Sequence, residues 1–146
     1  MTLDQIMAEW ASDCKIDGDR LTTESLERPE LHHKYWKIFL IWKSRYHKTC
    51  AERKTLRQYK YDYFSGDLNT KEDCDEFGHE PFLKKVLKPD LRDAVDNDQD
   101  VIDVNLKIAG IEDVCRYLES ILVQIDKRGW DIKSAIDWNK FQGGVI

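Results

Sequence analysis

The chain has 146 residues and a mass of 17.3 kDa, with 35% charged side chains and a mean hydropathy of −0.65. That length can bury a core, yet its charge exceeds the ~25% typical of soluble proteins, which favours an elongated helical protein that completes its core by oligomerising and, with only 3 Pro and 7 Gly, excludes a many-stranded sheet. The net charge of −5 hides an asymmetry: residues 30–60 carry nine basic and two acidic side chains, residues 61–105 five and thirteen, so the basic segment is either a polyanion site or a surface that pairs with the acidic one.

In chain order, Thr2 and Gln5 stand at capping-box spacing. Leu3, Ile6, Met7 and Trp10 then fall on one helical face. A helix is therefore predicted up to the Ile16-Asp17-Gly18-Asp19 break, followed by a short helical stretch from about Thr23 to Pro29. No Pro or Gly interrupts the basic segment from there to Ser65. A helix over about 30–65 is expected, roughly 54 Å long at 1.5 Å per residue, again favouring an extended, assembled architecture. Residues 66–97 read as an acidic loop, with a brief helix beginning near Pro89-Asp90. A second long helix is predicted over about 98–128, with Val101, Val104, Ile108, Ile111, Cys115, Leu118 and Leu122 in phase. Lys127, Arg128 and Gly129 have the character of a helix end. A last short helix, about 131–141, carries Ile132, Ala135, Ile136, Trp138 and Phe141. The whole is expected to be a single all-α domain over 1–146: two long helices in an extended hairpin, with short N- and C-terminal helices.

The basic helix changes character along its length. Tyr35, Phe39, Trp42, Tyr46 and Cys50 share a face, and the same face next presents Arg53, Arg57 and Lys60. The apolar positions meanwhile move round to Leu56, Tyr59 and Tyr63. A helix buried along its whole length does not exchange an aromatic stripe for a basic one, so the C-terminal half is expected to be exposed. Basic side chains beside Tyr59, Tyr61 and Tyr63 suit single-stranded nucleic acid, which needs phosphate neutralisation and platforms for unstacked bases. The competing reading is a solvated, salt-bridged face whose tyrosines pack internally.

Other chemistry finds no complete motif. Asp73-Cys74-Asp75-Glu76-Phe77-Gly78 begins like a calcium loop but has Phe77 at the fifth ligand position and Lys84 at the twelfth. Asp96, Asp98 and Asp100 alternate similarly, with Val101 in place of the Gly and Lys107 in place of the Glu. Cys74 and His79 have no second Cys/His pair at zinc spacing. His32 and His33 are adjacent and point to different sides of a helix. No phosphate-binding loop, dinucleotide glycine motif or nucleophile elbow is present. The expectation is a protein without enzymatic activity, metal or cofactor. Cys14, Cys50, Cys74 and Cys115 are widely spaced, without a Cys-x-x-Cys pair, and are expected to be reduced thiols. The longest strongly apolar run, residues 38–42, is far short of the ~20 needed to cross a bilayer. Met1-Thr2-Leu3-Asp4-Gln5 lacks the regions of a signal peptide, so a soluble, intracellular chain is expected.

Gln58-Tyr59-Lys60-Tyr61-Asp62-Tyr63-Phe64-Ser65-Gly66 resembles the signature of the UvsY-type recombination mediators of tailed bacteriophages: two basic residues two apart, then Asp-Tyr-aromatic-Ser-Gly. The likeness continues through Asp75-Glu76-Phe77, Asp100-Val101, and Lys127-Arg128-Gly129-Trp130 with Ile132-Lys133. The resemblance implies an accessory protein in DNA recombination, repair and replication, in the cytoplasm of the infected bacterial host. Such proteins bind single-stranded DNA as homo-oligomeric rings of six or seven subunits, loosen single-strand-binding protein, and help load a RecA-like recombinase. The basic-aromatic stripe and the resemblance together put the expected DNA contacts at Arg53, Lys54, Arg57, Tyr59, Lys60, Tyr61 and Tyr63. Lys60 matches the second basic position of the signature; Gln58 replaces the first, and Arg57 stands next to it to supply that charge. Oligomerisation would fall to Ile132, Ile136, Trp138 and Phe141. Two other readings are a structural helical-assembly protein with no DNA role, and a basic amphipathic protein at anionic membrane surfaces.

Overall fold

Thr2 caps the first helix as its spacing predicts. Its hydroxyl accepts from the Gln5 N–H, and the Gln5 side chain accepts from the Thr2 N–H at 2.8 Å. In the computed structural model, which describes residues 1–67 and 86–144, four helices follow in order. They are α1 (Leu3–Asp13), α2 (Leu21–Ser65), α3 (Lys88–Asp96) and α4 (Gln99–Gln142), and no strand occurs among the described residues. The expectations for the calcium-like run at 73–84, for Cys74 with His79, and for Asp75-Glu76-Phe77 lie outside the described residues.

The chain divides into two compact units, residues 1–44 with 112–146, and residues 45–111. In each, α2 and α4 run antiparallel. In the first unit Glu24 meets Arg128 and Arg28 meets the Asp126 carbonyl. In the second Arg53 meets Asn105 and Lys60 meets Asp98. The first core gathers Ile6, Tyr35, Phe39, Val114, Cys115, Leu118, Ile121, Leu122, Ile125 and Ile132; the second gathers Tyr59, Leu91, Val95, Val101, Ile108 and Ile111. Burial of each large aliphatic side chain contributes about 1.5–3 kcal/mol.

Two predicted boundaries are corrected. The short stretch before Pro29 and the long helix are one element, with Pro29 inside α2. An interior proline removes a backbone donor and crowds the preceding turn, at a cost of ~3 kcal/mol. The first turns of α2 are instead held from outside, by Arg128 on Glu24 at 2.6 Å and by Arg28 on the Asp126 carbonyl at 3.3 Å. The separate C-terminal helix likewise merges into α4, which runs unbroken through Gly129. Gly129 is not a stop. A Cβ there would lie 2.8 Å from Arg28 Nη1, so the glycine makes room for a crossing guanidinium.

Arg128 explains how α1 is held. The last carbonyls of a helix have no partners within it. Buried Arg128 donates to the carbonyls of Asp13 (3.1 Å), Cys14 (3.2 Å) and Lys15 (3.0 Å) as well as to Glu24. The planar guanidinium fork suits this arrangement, since it presents several donors in fixed directions. Trp10 packs edge-on against Tyr35. The Tyr35 hydroxyl and Lys34 Nζ both donate to Asp13 Oδ2, at 2.9 and 2.7 Å. Burial first, and then the Asp13 bond, raise the Tyr35 hydroxyl pKa well above its ordinary value. Hydrogen bonds to Asp13 and Glu9 raise that of Lys34.

Candidate nucleic-acid interface

The last turn of α2 carries the Asp-Tyr-Phe-Ser-Gly run, and its function there is to end the helix. Gly66 takes φ 86°, the left-handed conformation that a side chain would disfavour. Its N–H donates to the Tyr63 carbonyl, and the Asp67 N–H reaches back to the Asp62 carbonyl at 3.1 Å. This paired closure satisfies carbonyls that otherwise lack partners at a helix C-terminus. Ser65 Oγ donates to the Asp62 carbonyl, and Gln58 Nε2 donates to Asp62 Oδ1 at 3.0 Å. The aspartate thus orders the helix end through its carbonyl and through the Gln58 amide.

Upstream, the basic stripe does not stand free in water as expected. Lys60 is only 2% exposed; its ammonium lies 3.2 Å from Asp98 Oδ1 and 2.7 Å from Asp100 Oδ2. Asp98 does double duty, because its other oxygen accepts from the N–H groups of Asp100 and Val101 as the cap of α4. A carboxylate at a helix N-terminus is favoured there, and the buried lysine offsets its charge. Arg57 Nη1 meets Asp96 Oδ1 at 2.6 Å, and Arg53 Nη1 meets Asn105 Oδ1 at 3.4 Å. Tyr59 is buried, and Tyr59 and Tyr63 stack with centroids 6.1 Å apart. Lys60 Nζ also lies over the Tyr63 ring at 6.0 Å. The physical reason for the correction is the acidic segment, which returns beside the stripe as α3 and the start of α4 and sets aspartates against Arg57 and Lys60 and the Asn105 amide against Arg53.

Lys54 and Tyr61 remain on the surface, with Arg57 half-buried. Together with Gln58, Arg92 and Val95 they line a groove of about 500 Å³ between α2 and α3. Arg92 was missed because it lies in a segment of net negative charge. The available signal is Leu91 and Val95, spaced i, i+4 and both buried, which fix the inward face of α3 and put Arg92 one position beside it. Of the expected oligomerisation residues, Ile132 is buried within the first unit and Ile136 is half-buried, whereas Trp138 and Phe141 are 58% and 72% exposed. Their rings stack on each other at 5.6 Å. Among the described residues no cluster of three or more His, Cys, Asp or Glu is placed to hold a metal, and no helix is long and apolar enough to cross a membrane.

Known proteins resemble this chain along its length. The family model "Recombination, repair and ssDNA binding protein UvsY" matches residues 9–145. The recombination protein uvsY of Enterobacteria phage T4 is 27% identical over 144 residues, which is 99% of each chain. Two crystal structures of the bacteriophage T4 recombination mediator protein UvsY share the fold. The type II lattice gives a TM-score of 0.81 at 23% identity, covering 98% of both chains. The type IV lattice gives 0.83 at 21% identity, covering 97% of this chain and 99% of the other.

Proposed function

Since the chain belongs to the UvsY family of recombination, repair and ssDNA-binding proteins, we propose that it is a recombination mediator. It binds single-stranded DNA without sequence preference, loosens single-strand-binding protein, and helps a RecA-like recombinase load, carrying out no chemical step itself. It works as a homo-oligomeric ring of six or seven subunits in the cytoplasm of an infected bacterium. The observation that carries this reading is the family match over residues 9–145, which takes in the basic α2 segment, α3 and the whole of α4.

The surface of the second unit supports it. Lys54 and Arg57 offer cations, and Tyr61, 42% exposed, offers a ring face. Lys60 and Tyr59 are buried, so in this reading they hold α2 against α4 and set the position of the contacting groups. Few cations per protomer make weak binding, and a ring that repeats them converts each further contact into an intramolecular one, with gains of roughly 10²–10⁴. Trp138 and Phe141, aromatic and exposed, are the residue types that anchor such interfaces.

A second reading has its own observation. The ties of Arg57 to Asp96 and of Lys60 to Asp98 and Asp100 fit a helical-assembly protein whose basic helix is neutralised by its own acidic segment. One titration separates the two. Fluorescence anisotropy with labelled single strands, duplex and anionic vesicles across a salt series is expected to show preferential single-strand binding that weakens steeply with salt, as counterion release requires. An assembled protein that ignores DNA supports the second reading, and one that prefers vesicles overturns both.

A further inference from the structure

The stripe on α2 offers its cations from one helix only, whereas the groove beside it has a second wall. Arg92 of α3 forms part of that wall with its side chain 86% exposed, and its nearest carboxylate, Asp96 Oδ2, is 4.0 Å from Nε. Lys54, Arg57 and Tyr61 form the facing wall, and Val95 lies between. We propose that this groove is a nucleotide subsite in which Tyr61 stacks on an unpaired base while Arg92, with Lys54 and Arg57, holds the adjoining phosphates. The inference rests on the single-strand-binding reading above and deepens it, adding a contact residue from the acidic part of the chain.

Three features favour a single-stranded nucleotide over other anions. Cations on both walls match a ligand whose charge passes along the groove rather than touching one side. An exposed aromatic ring next to them is of no use to inorganic phosphate, and duplex DNA keeps its base faces covered; stacking on a single base is worth about 1–3 kcal/mol. The third feature is Asp96. It sits 2.6 Å from Arg57 and 4.0 Å from Arg92, so it occupies the position a phosphate would take and must be displaced for Arg57 to engage one. Removing its charge therefore frees Arg57 and is expected to strengthen DNA binding.

The test compares full-length wild type, Arg92→Ala, Tyr61→Leu and Asp96→Asn, with Arg116→Ala as a control on an exposed arginine that pairs along its own helix with Glu112. Each is titrated with labelled oligo-dT and with an abasic oligonucleotide of equal length over a salt series, and helicity is checked by circular dichroism. Arg92→Ala is expected to reduce the salt slope by about 0.7 for each protomer engaged on the strand, the value of one single-strand phosphate contact, while Arg116→Ala does not. Tyr61→Leu is expected to weaken oligo-dT binding by at least about tenfold, the loss of a single stacked base, and to leave the abasic strand unaffected. Asp96→Asn is expected to bind more tightly than wild type. Wild type that binds while Arg92→Ala behaves as Arg116→Ala, or Tyr61→Leu weakening both strands equally, overturns the subsite alone. Wild type that binds neither strand overturns the mediator reading itself.

Discussion

Asp13 receives both a hydroxyl and an ammonium, from Tyr35 and Lys34 on neighbouring positions of α2, and this gives the first unit a definite response to alkali. Below pH 10 Tyr35 is protonated folded and unfolded, and its contribution is complete. Above its ordinary value of 10.0 the unfolded chain gives up the proton while the folded hydroxyl, raised by burial and by Asp13, retains it. Stability therefore falls as pH rises, by up to about 1.4 kcal/mol per pH unit from Tyr35. Lys34, also raised, acts with the same sign above 10.5, reduced by solvent screening because it is partly exposed. Urea unfolding at pH 8 to 11 is expected to show this decline. Tyr35→Phe should begin about 1 kcal/mol less stable, having lost one hydrogen bond, yet decline less steeply; an identical slope would remove Tyr35 from the account.

Lys60 decides how the elements of the second unit hold together, because one buried ammonium ties α2 to the cap of α4. Lys60→Met is expected to lower unfolding free energy by about 3 kcal/mol, since Asp98 is left without its counter-charge. Lys54→Ala, on the surface, should stay within about 0.5 kcal/mol of wild type while weakening DNA binding. Denaturant midpoints set beside anisotropy titrations separate the two effects. The same contrast marks what was legible in sequence. The capping box at Thr2 and the phased run from Val101 to Leu122 could be read because they depend on local spacing. So could the aromatic face beginning at Tyr35 and Phe39. The fate of Lys60 could not, since it depends on Asp98 and Asp100 returning from thirty-eight and forty positions away. Pro29 and Gly129 misled for a related reason. Each carries a local signal for a helix boundary, and in each case a distant arginine packs there, Arg128 on Glu24 in the turns before Pro29 and Arg28 over Gly129.

At the scale of the whole molecule, the distinction that matters for the proposed assembly is between apolar residues of the C-terminal part of α4 used inside a protomer and those left outside it. Ile132 belongs to the core, so truncation at residue 131 would damage the protomer as well as any contact between protomers. Trp138→Ser with Phe141→Ser spares the core and is the cleaner test. The double variant is expected to sediment as smaller species with near-native helicity. Its DNA affinity should fall by about 10² or more as the repeated contacts are lost. Sedimentation at the wild-type mass would place the subunit contact elsewhere.

The clasp between Arg128 and the end of α1 has a kinetic consequence. Its bonds join residues 113 to 115 positions apart in the chain, among the most remote in the molecule, and closing so long a segment is entropically costly until the helices have already met. Contacts of that kind form late, so they resist unfolding without hastening folding. Arg128→Ala is therefore expected to speed unfolding in stopped-flow experiments by more than tenfold while the refolding rate changes little. A matching drop in the refolding rate would mean that α1 is already docked at the barrier.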